Sequence, residues 1–152
     1  MRNFIIIFIV FSITESAWGA DPLIGTWKLD VTRSKIPSSM QIPGDLVEVY
    51  RETGDGLIEY HSLIGQEAGP NKYTWPVQGG MAKREPVLPE GLAYVETLVA
   101  PGDWYVTVLQ NGVQVFIIHK TFSDDGKTMY QTRKGVNDQG ERLEAEVVYT
   151  RQ

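Results

Sequence analysis

The sequence predicts an all-β fold, an antiparallel up-and-down β-barrel of about 8–10 strands, on three observations. Leu23-Ile24-Gly25-Thr26-Trp27-Lys28-Leu29-Asp30 sets a glycine two residues before a tryptophan at the opening of an alternating strand. At the other end, Val147-Val148-Tyr149-Thr150-Arg151 is an apolar strand closing on a cation. Between Leu92 and Arg151, strand-length runs alternate with turn signals at regular spacing. Pairing of the first and last strands closes the barrel. Trp27 is then large enough to plug one end, and Gly25 leaves room for its ring against neighbouring backbone. Arg151 is placed to cover the indole face.

A leader precedes the first strand. Met1-Arg2-Asn3 is a short positive start, Phe4 to Ile13 an apolar run, and Ser16 to Ala20 supplies small residues. An apolar run of ~10 residues is too short to cross a bilayer, so residues 1–20 read as a secretory signal peptide. Cleavage after Gly19, with Ala17 three places back, fits the small-residue rule better than cleavage after Ala20. The expected location is therefore exported, periplasmic or extracellular. Residues 21–152 make one barrel domain.

Composition narrows the function. The net charge is −5, and removing Arg2 with Glu15 leaves it there. With no basic tract, the chain is not expected to bind nucleic acid or anionic membrane surfaces. It has no cysteine, which excludes disulfides, thiol catalysis, thiolate metal sites and a lipid anchor. The leader takes three of the five Phe and one of the four Trp but none of the seven Tyr. An interior this rich in hydroxyl and indole groups must find them partners, and it leans toward a cavity holding water or a polar ligand.

Taken in order, Val31 to Gly44 is an irregular connection broken by Pro37 and Pro43. In the run Asp45 to Thr53, Val47 and Val49 share one face, and Glu48, Tyr50 and Glu52 the other. Gly54-Asp55-Gly56 turns into the partner strand Leu57 to Ile64. Gly65 to Pro70 breaks the chain, and Asn71 to Val77 is a short strand that Pro76 assigns to an edge or bulge. Gln78 to Gly91, with three glycines and two prolines, is expected to be either a lid or disordered. Thereafter the meander is clean: Leu92 to Ala100, Asp103 to Gln110, Val113 to Phe122, Lys127 to Lys134 and Arg142 to Arg151. Asn111-Gly112 is its strongest hairpin signal. The pattern amounts to about nine strands, no helix of normal length and no repeats.

Gly25-Thr26-Trp27-Lys28-Leu29-Asp30 with Ser34-Lys35, the run Asp124-Asp125-Gly126-Lys127-Thr128, the turn Asn137 to Gly140 and the closing Val147-Val148-Tyr149 together resemble the bacterial lipocalin-like proteins of the calycin group. The likeness covers both ends of the chain and hardly touches Gln78 to Gly91. It implies a barrel with an internal cavity that binds a small, largely apolar molecule. A minority of calycin-like barrels are enzymes of isomerase or cyclase type, which is the rival reading. Fatty-acid-binding proteins, also calycins, hold a ligand carboxylate with an arginine two residues before the closing tyrosine. Here that position is Val147, so the clamp does not carry over. Arg133 on the neighbouring strand is either its substitute or an exposed strand cation.

The candidate ligand-binding residues are Tyr60, Trp104, His119, Tyr130, Arg133 and Tyr149. Trp104, Tyr60, Tyr130 and Tyr149 are expected to point inward as apolar walls with hydrogen-bonding tips, or to be plain core. His119 alternates with Val113, Val115 and Ile117, and is either a cavity imidazole acting as acid/base or a satisfied strand-end histidine. His61 shares a face with Glu59, as an oriented pair or as a solvated one. Two histidines in the chain make a metal site improbable, and no phosphate loop, nucleophile elbow or cofactor motif is present, so no cofactor is expected. Either ligand reading needs an empty cavity larger than ~300 Å³; a solid interior would leave a barrel filled by side chains whose surface binds another protein.

Overall fold

The computed structural model describes residues 20–137 and 139–152, so the leader reading falls outside the described residues. Eleven strands form one antiparallel sheet, with no helix among the described residues. They are β1 (Gly25–Leu29), β2 (Leu46–Glu52), β3 (Leu57–Ile64), β4 (Glu67–Pro76), β5 (Gly79–Met81), β6 (Lys83–Glu85), β7 (Leu92–Ala100), β8 (Asp103–Gln110), β9 (Val113–Phe122), β10 (Thr128–Val136) and β11 (Arg142–Arg151). In space they run β5-β7-β8-β9-β10-β11-β1-β2-β3-β4-β6. The predicted all-β antiparallel barrel is the observed fold.

The chain ends meet as the alternation requires. β1 lies antiparallel to β11, with Trp27 opposite Arg151 and Leu29 opposite Tyr149. Trp27 is fully buried, and its Nε1 donates to the Leu23 carbonyl at 2.9 Å. The Arg151 guanidinium stands 4.3 Å over the indole. It also donates to three backbone carbonyls, those of Gly126, Ile24 and Pro22, at 2.7–2.8 Å. Gly25 has φ +149°, and a Cβ there would collide with that guanidinium. The space at Gly25 therefore serves the arginine more than the tryptophan ring. Asp21 fastens the same barrel end: its carboxylate accepts from Trp104 Nε1 at 3.1 Å and from the Leu23 amide at 2.8 Å.

Tight turns keep consecutive strands adjacent. Asn111, at φ +51°, and Gly112, at φ +79°, make the two-residue β8–β9 hairpin with Gln110 opposite Val113, as an Asn-Gly pair demands. Two expectations need correction. Glu67 to Pro70 belongs to β4 rather than to a break; the irregularity is a bulge in β4, where residues 69–71 lie opposite Ser62 alone as the register with β3 shifts between His61 and Leu63. Gln78 to Gly91 is neither lid nor coil throughout. It contains β5, paired with β7, and β6, paired with β4, separated by Ala82 alone. The Ala82 amide donates to the Tyr94 carbonyl at 2.8 Å. This seam spans the gap between β4 and β7 and makes the sheet a nearly closed ring. The signal is obscured because three glycines and two prolines outnumber the one β-branched residue, Val87, in Gln78 to Gly91.

Candidate functional site

Alternation fixes what the interior contains. Residues directly opposite on neighbouring strands share a face, and Trp27 lies opposite Glu48. The inward face of β2 is therefore Leu46, Glu48 and Tyr50, all buried. Glu48 points inside the barrel and not into solvent. Two further rows cross the sheet: Leu98, Trp104, Lys120, Gln131 and Val147; then Glu96, Val106, Ile118, Arg133 and Ala145. Each row places charged or amide groups among apolar ones.

Between these rows and the β2–β4 wall lies a cavity of about 190 Å³. That falls short of the ~300 Å³ expected for either ligand reading, a threshold set by drug-sized sites, and corrects that expectation; it is still above the ~150 Å³ of an apolar cavity known to hold benzene. The barrel is not solid, but its hollow admits only a compact guest. Its apolar lining is largely aromatic. Tyr50 lies opposite Tyr60, and Tyr60 opposite Tyr73, so the rings form a ladder. Centroids are 5.0 Å apart from Tyr50 to Tyr60, 5.8 Å from Tyr60 to Tyr73, and 5.2 Å from Tyr73 to Tyr94. Trp75 meets Tyr50 edge-on at 6.3 Å. A second hollow, of about 430 Å³, lies along β9, β10 and β11 and is lined by no buried charged side chain.

Two buried ion pairs face the cavity, and they differ in completeness. Glu48 Oε2 accepts from Tyr50 Oη at 2.6 Å and from Gln131 Nε2 at 2.9 Å. Its Oε1 accepts from Tyr149 Oη at 2.9 Å and from Arg133 Nη2 at 3.1 Å. Four donors fill the acceptor capacity of one carboxylate. Arg133 donates in addition to Gln131 Oε1 and to Tyr149 Oη. Burial, and then the Glu48 charge, push the Tyr50 and Tyr149 hydroxyls well above the usual phenol range, so both stay protonated donors.

The second pair is loose. Lys120 Nζ stands 3.9 Å from Glu96 Oε2, although both side chains are about 95% buried. The ammonium rests instead over the rings of Tyr50, at 4.9 Å, and Trp75, at 5.9 Å. Glu96 Oε2 and Trp75 Nε1 have no hydrogen-bond partner among the described residues. A buried polar atom left without a partner costs roughly 1–3 kcal/mol. Burial raises the Glu96 carboxyl above its ordinary 4.5, with Lys120 opposing the rise and Glu48 adding to it.

The six sequence candidates separate by the same alternation. Tyr60 and Arg133 line the cavity, and Tyr149 touches it through Arg133 and Glu48. Trp104 points inward as expected, but it is held at the plugged end by Asp21, away from the hollow. Tyr130 is 41% exposed. It is an odd number of residues from Arg133 on one strand, so the two cannot share a face. His119 is directed outward, next to the inward Lys120. Its ring stacks on Tyr105 at 4.2 Å, and its Nε2 lies 2.7 Å from Asp103 Oδ1. His61 is not among the cavity residues either. It lies beside Glu59, whose carboxylate pairs with Arg51 and Lys72, so burial and the Arg51 charge, against Glu59, lower its pKa. A cavity histidine acting as acid/base is corrected by this placement. Among the described residues, no group of three or more His, Cys, Asp or Glu could hold a metal ion.

Sequence reasoning missed Glu48, Trp75, Glu96, Lys120 and Gln131. Parity counted outward from Trp27 identifies Glu48, and the hairpin registers carry it to the others. Glu48, Glu96 and Lys120 carry no inward signal of their own, because charged side chains ordinarily face solvent.

The fold and its cavity define a small, nearly closed antiparallel β-barrel with a polar, charge-paired interior. No protein-family model and no curated protein matches the sequence. Among solved structures, the chain is similar to fatty-acid-binding protein 1 of Echinococcus granulosus. The TM-score is 0.56 at 11% identity, covering 86% of this chain and 97% of that one. It is also similar to zebrafish ileal bile acid-binding protein complexed with cholic acid, with TM-score 0.57 at 9% identity, covering 86% and 99%. At such identities the likeness concerns the fold.

Proposed function

We propose that this chain is an exported binding protein that holds one compact, largely apolar molecule inside its barrel. The observation that carries the reading is the hollow of about 190 Å³ walled by the tyrosine ladder and Trp75. A barrel selected only for stability gains by filling such a space, since cavities cost packing energy. The two structural neighbours, named for fatty-acid and bile-acid binding, support an interior ligand. The size of the hollow argues for a smaller guest than either name suggests. The lipocalin-like assignment rests on the Gly25 and Trp27 opening with the closing Val147-Val148-Tyr149. Export rests on the leader pattern of residues 1–20.

Native mass spectrometry of the protein recovered from cells tests the reading. The expected spectrum shows a mature chain lacking the leader and carrying an organic adduct that solvent extraction removes. The emptied protein should then take up toluene, and Val106→Phe, which fills the hollow, should not. A recovered chain without adduct that also fails to take up toluene would sink the proposal.

A further inference from the structure

The interior charges suggest more about the guest. Two acids and two bases border the cavity: Glu48 with Arg133, and Glu96 with Lys120. Their charges cancel. Glu48 is saturated by four donors, so the Arg133 charge is already answered from within the barrel. An incoming carboxylate would leave one uncompensated negative charge in a low-dielectric interior, which is severely penalised. The cavity wall instead lacks one acceptor, for Trp75 Nε1, and one partner for Glu96 Oε2. Both side chains line the cavity together with Lys120, whose Nζ lies 3.9 Å from Glu96 Oε2 and 5.9 Å from the Trp75 ring centroid.

Resting on the ligand-binding reading above, we propose that the guest is uncharged and bears one group that both donates and accepts hydrogen bonds, a hydroxyl or an amide, held by Trp75 and Glu96. A single such group accepts from the indole N–H and donates to the carboxylate oxygen. The rest of the guest lies against the tyrosine ladder. The Lys120 Nζ keeps its place over the Tyr50 and Trp75 rings, 3.9 Å from Glu96 Oε2.

Three probes with one carbon skeleton decide the matter: toluene, benzyl alcohol and benzoate, titrated by calorimetry into the full mature chain at neutral pH. Benzyl alcohol should bind at least about tenfold more tightly than benzoate, since each tenfold step is ~1.4 kcal/mol, and more tightly than toluene. In Trp75→Phe the ratio of benzyl alcohol to toluene affinity should fall by about tenfold, the worth of one buried hydrogen bond. Titrations in two buffers of different ionisation heat supply a check that needs no variant: benzyl alcohol should bind without proton exchange. Benzoate binding as tightly as benzyl alcohol, with no proton taken up, overturns this inference and leaves the ligand-binding reading standing. Failure of all three probes overturns both.

Discussion

Arg151 shows how much one side chain decides. Among the described residues its guanidinium has no carboxylate partner, yet it ties three loop carbonyls to the last strand and caps the Trp27 indole. Charge-assisted bonds of this kind are individually stronger than neutral ones, and together they hold the last strand to the segment leading into the first. Trp27 beneath it is completely enclosed. Trp27→Ala should destabilise the protein by about 3–5 kcal/mol, the usual cost of truncating a large core aromatic. Urea denaturation measures it, and a loss under about 1 kcal/mol would mean that the indole is not the plug. Glu96 makes a prediction of the opposite character. Its carboxyl is raised above 4.5 in the fold, chiefly by burial, so between 4.5 and the raised value the folded protein keeps a proton that the unfolded chain has released. Its contribution to stability is therefore lost as pH rises from about 4.5 through the raised value. In Glu96→Gln that fall disappears. Denaturation at pH 4 and pH 7 should show wild type losing more stability than the variant across that interval; equal losses would contradict the assignment.

At the scale of the strand, parity outranks residue type. β9 carries His119 outward and Lys120 inward, and β10 carries Tyr130 outward with Gln131 inward. Hydrophobicity alone would have chosen the reverse in both strands. The energetic reason lies in the neighbours: Lys120 enters because Trp104 and Gln131 lie directly opposite it and the Tyr50 ring receives its ammonium. His119→Ala should consequently leave toluene uptake unchanged within about twofold, because the imidazole is turned away toward Tyr105 and Asp103. A several-fold loss would place that histidine in the binding machinery after all. Strand positions and most turns could be read from alternation and from Asn111-Gly112. The inward register of β2 could not, because Val47 and Val49 offer as good an apolar face as Leu46 and Tyr50 until a partner strand is specified.

At the scale of the whole molecule, the ring is uneven. β10 and β11 pair over nine successive positions, whereas β5 and β6 each pair over three. Short pairings expose their hydrogen bonds and open at low cost. Native-state hydrogen exchange should find the amides of Met81, Ala82 and Arg84 exchanging well before those of Gln131 and Val147. Uniform protection around the ring would deny that the seam between β4 and β7 is the weak side. The sequence by itself determined the class of fold, the meeting of the chain ends and the plug at Trp27, because these follow from local alternation, turn chemistry and residue size. Only the tertiary structure decided which face of each strand turns inward, how Gly79 to Glu85 completes the ring, and that four buried charges pair around a hollow of about 190 Å³. Those outcomes depend on register between strands far apart in the chain, and a shift of one residue in register exchanges every inward side chain for its outward neighbour.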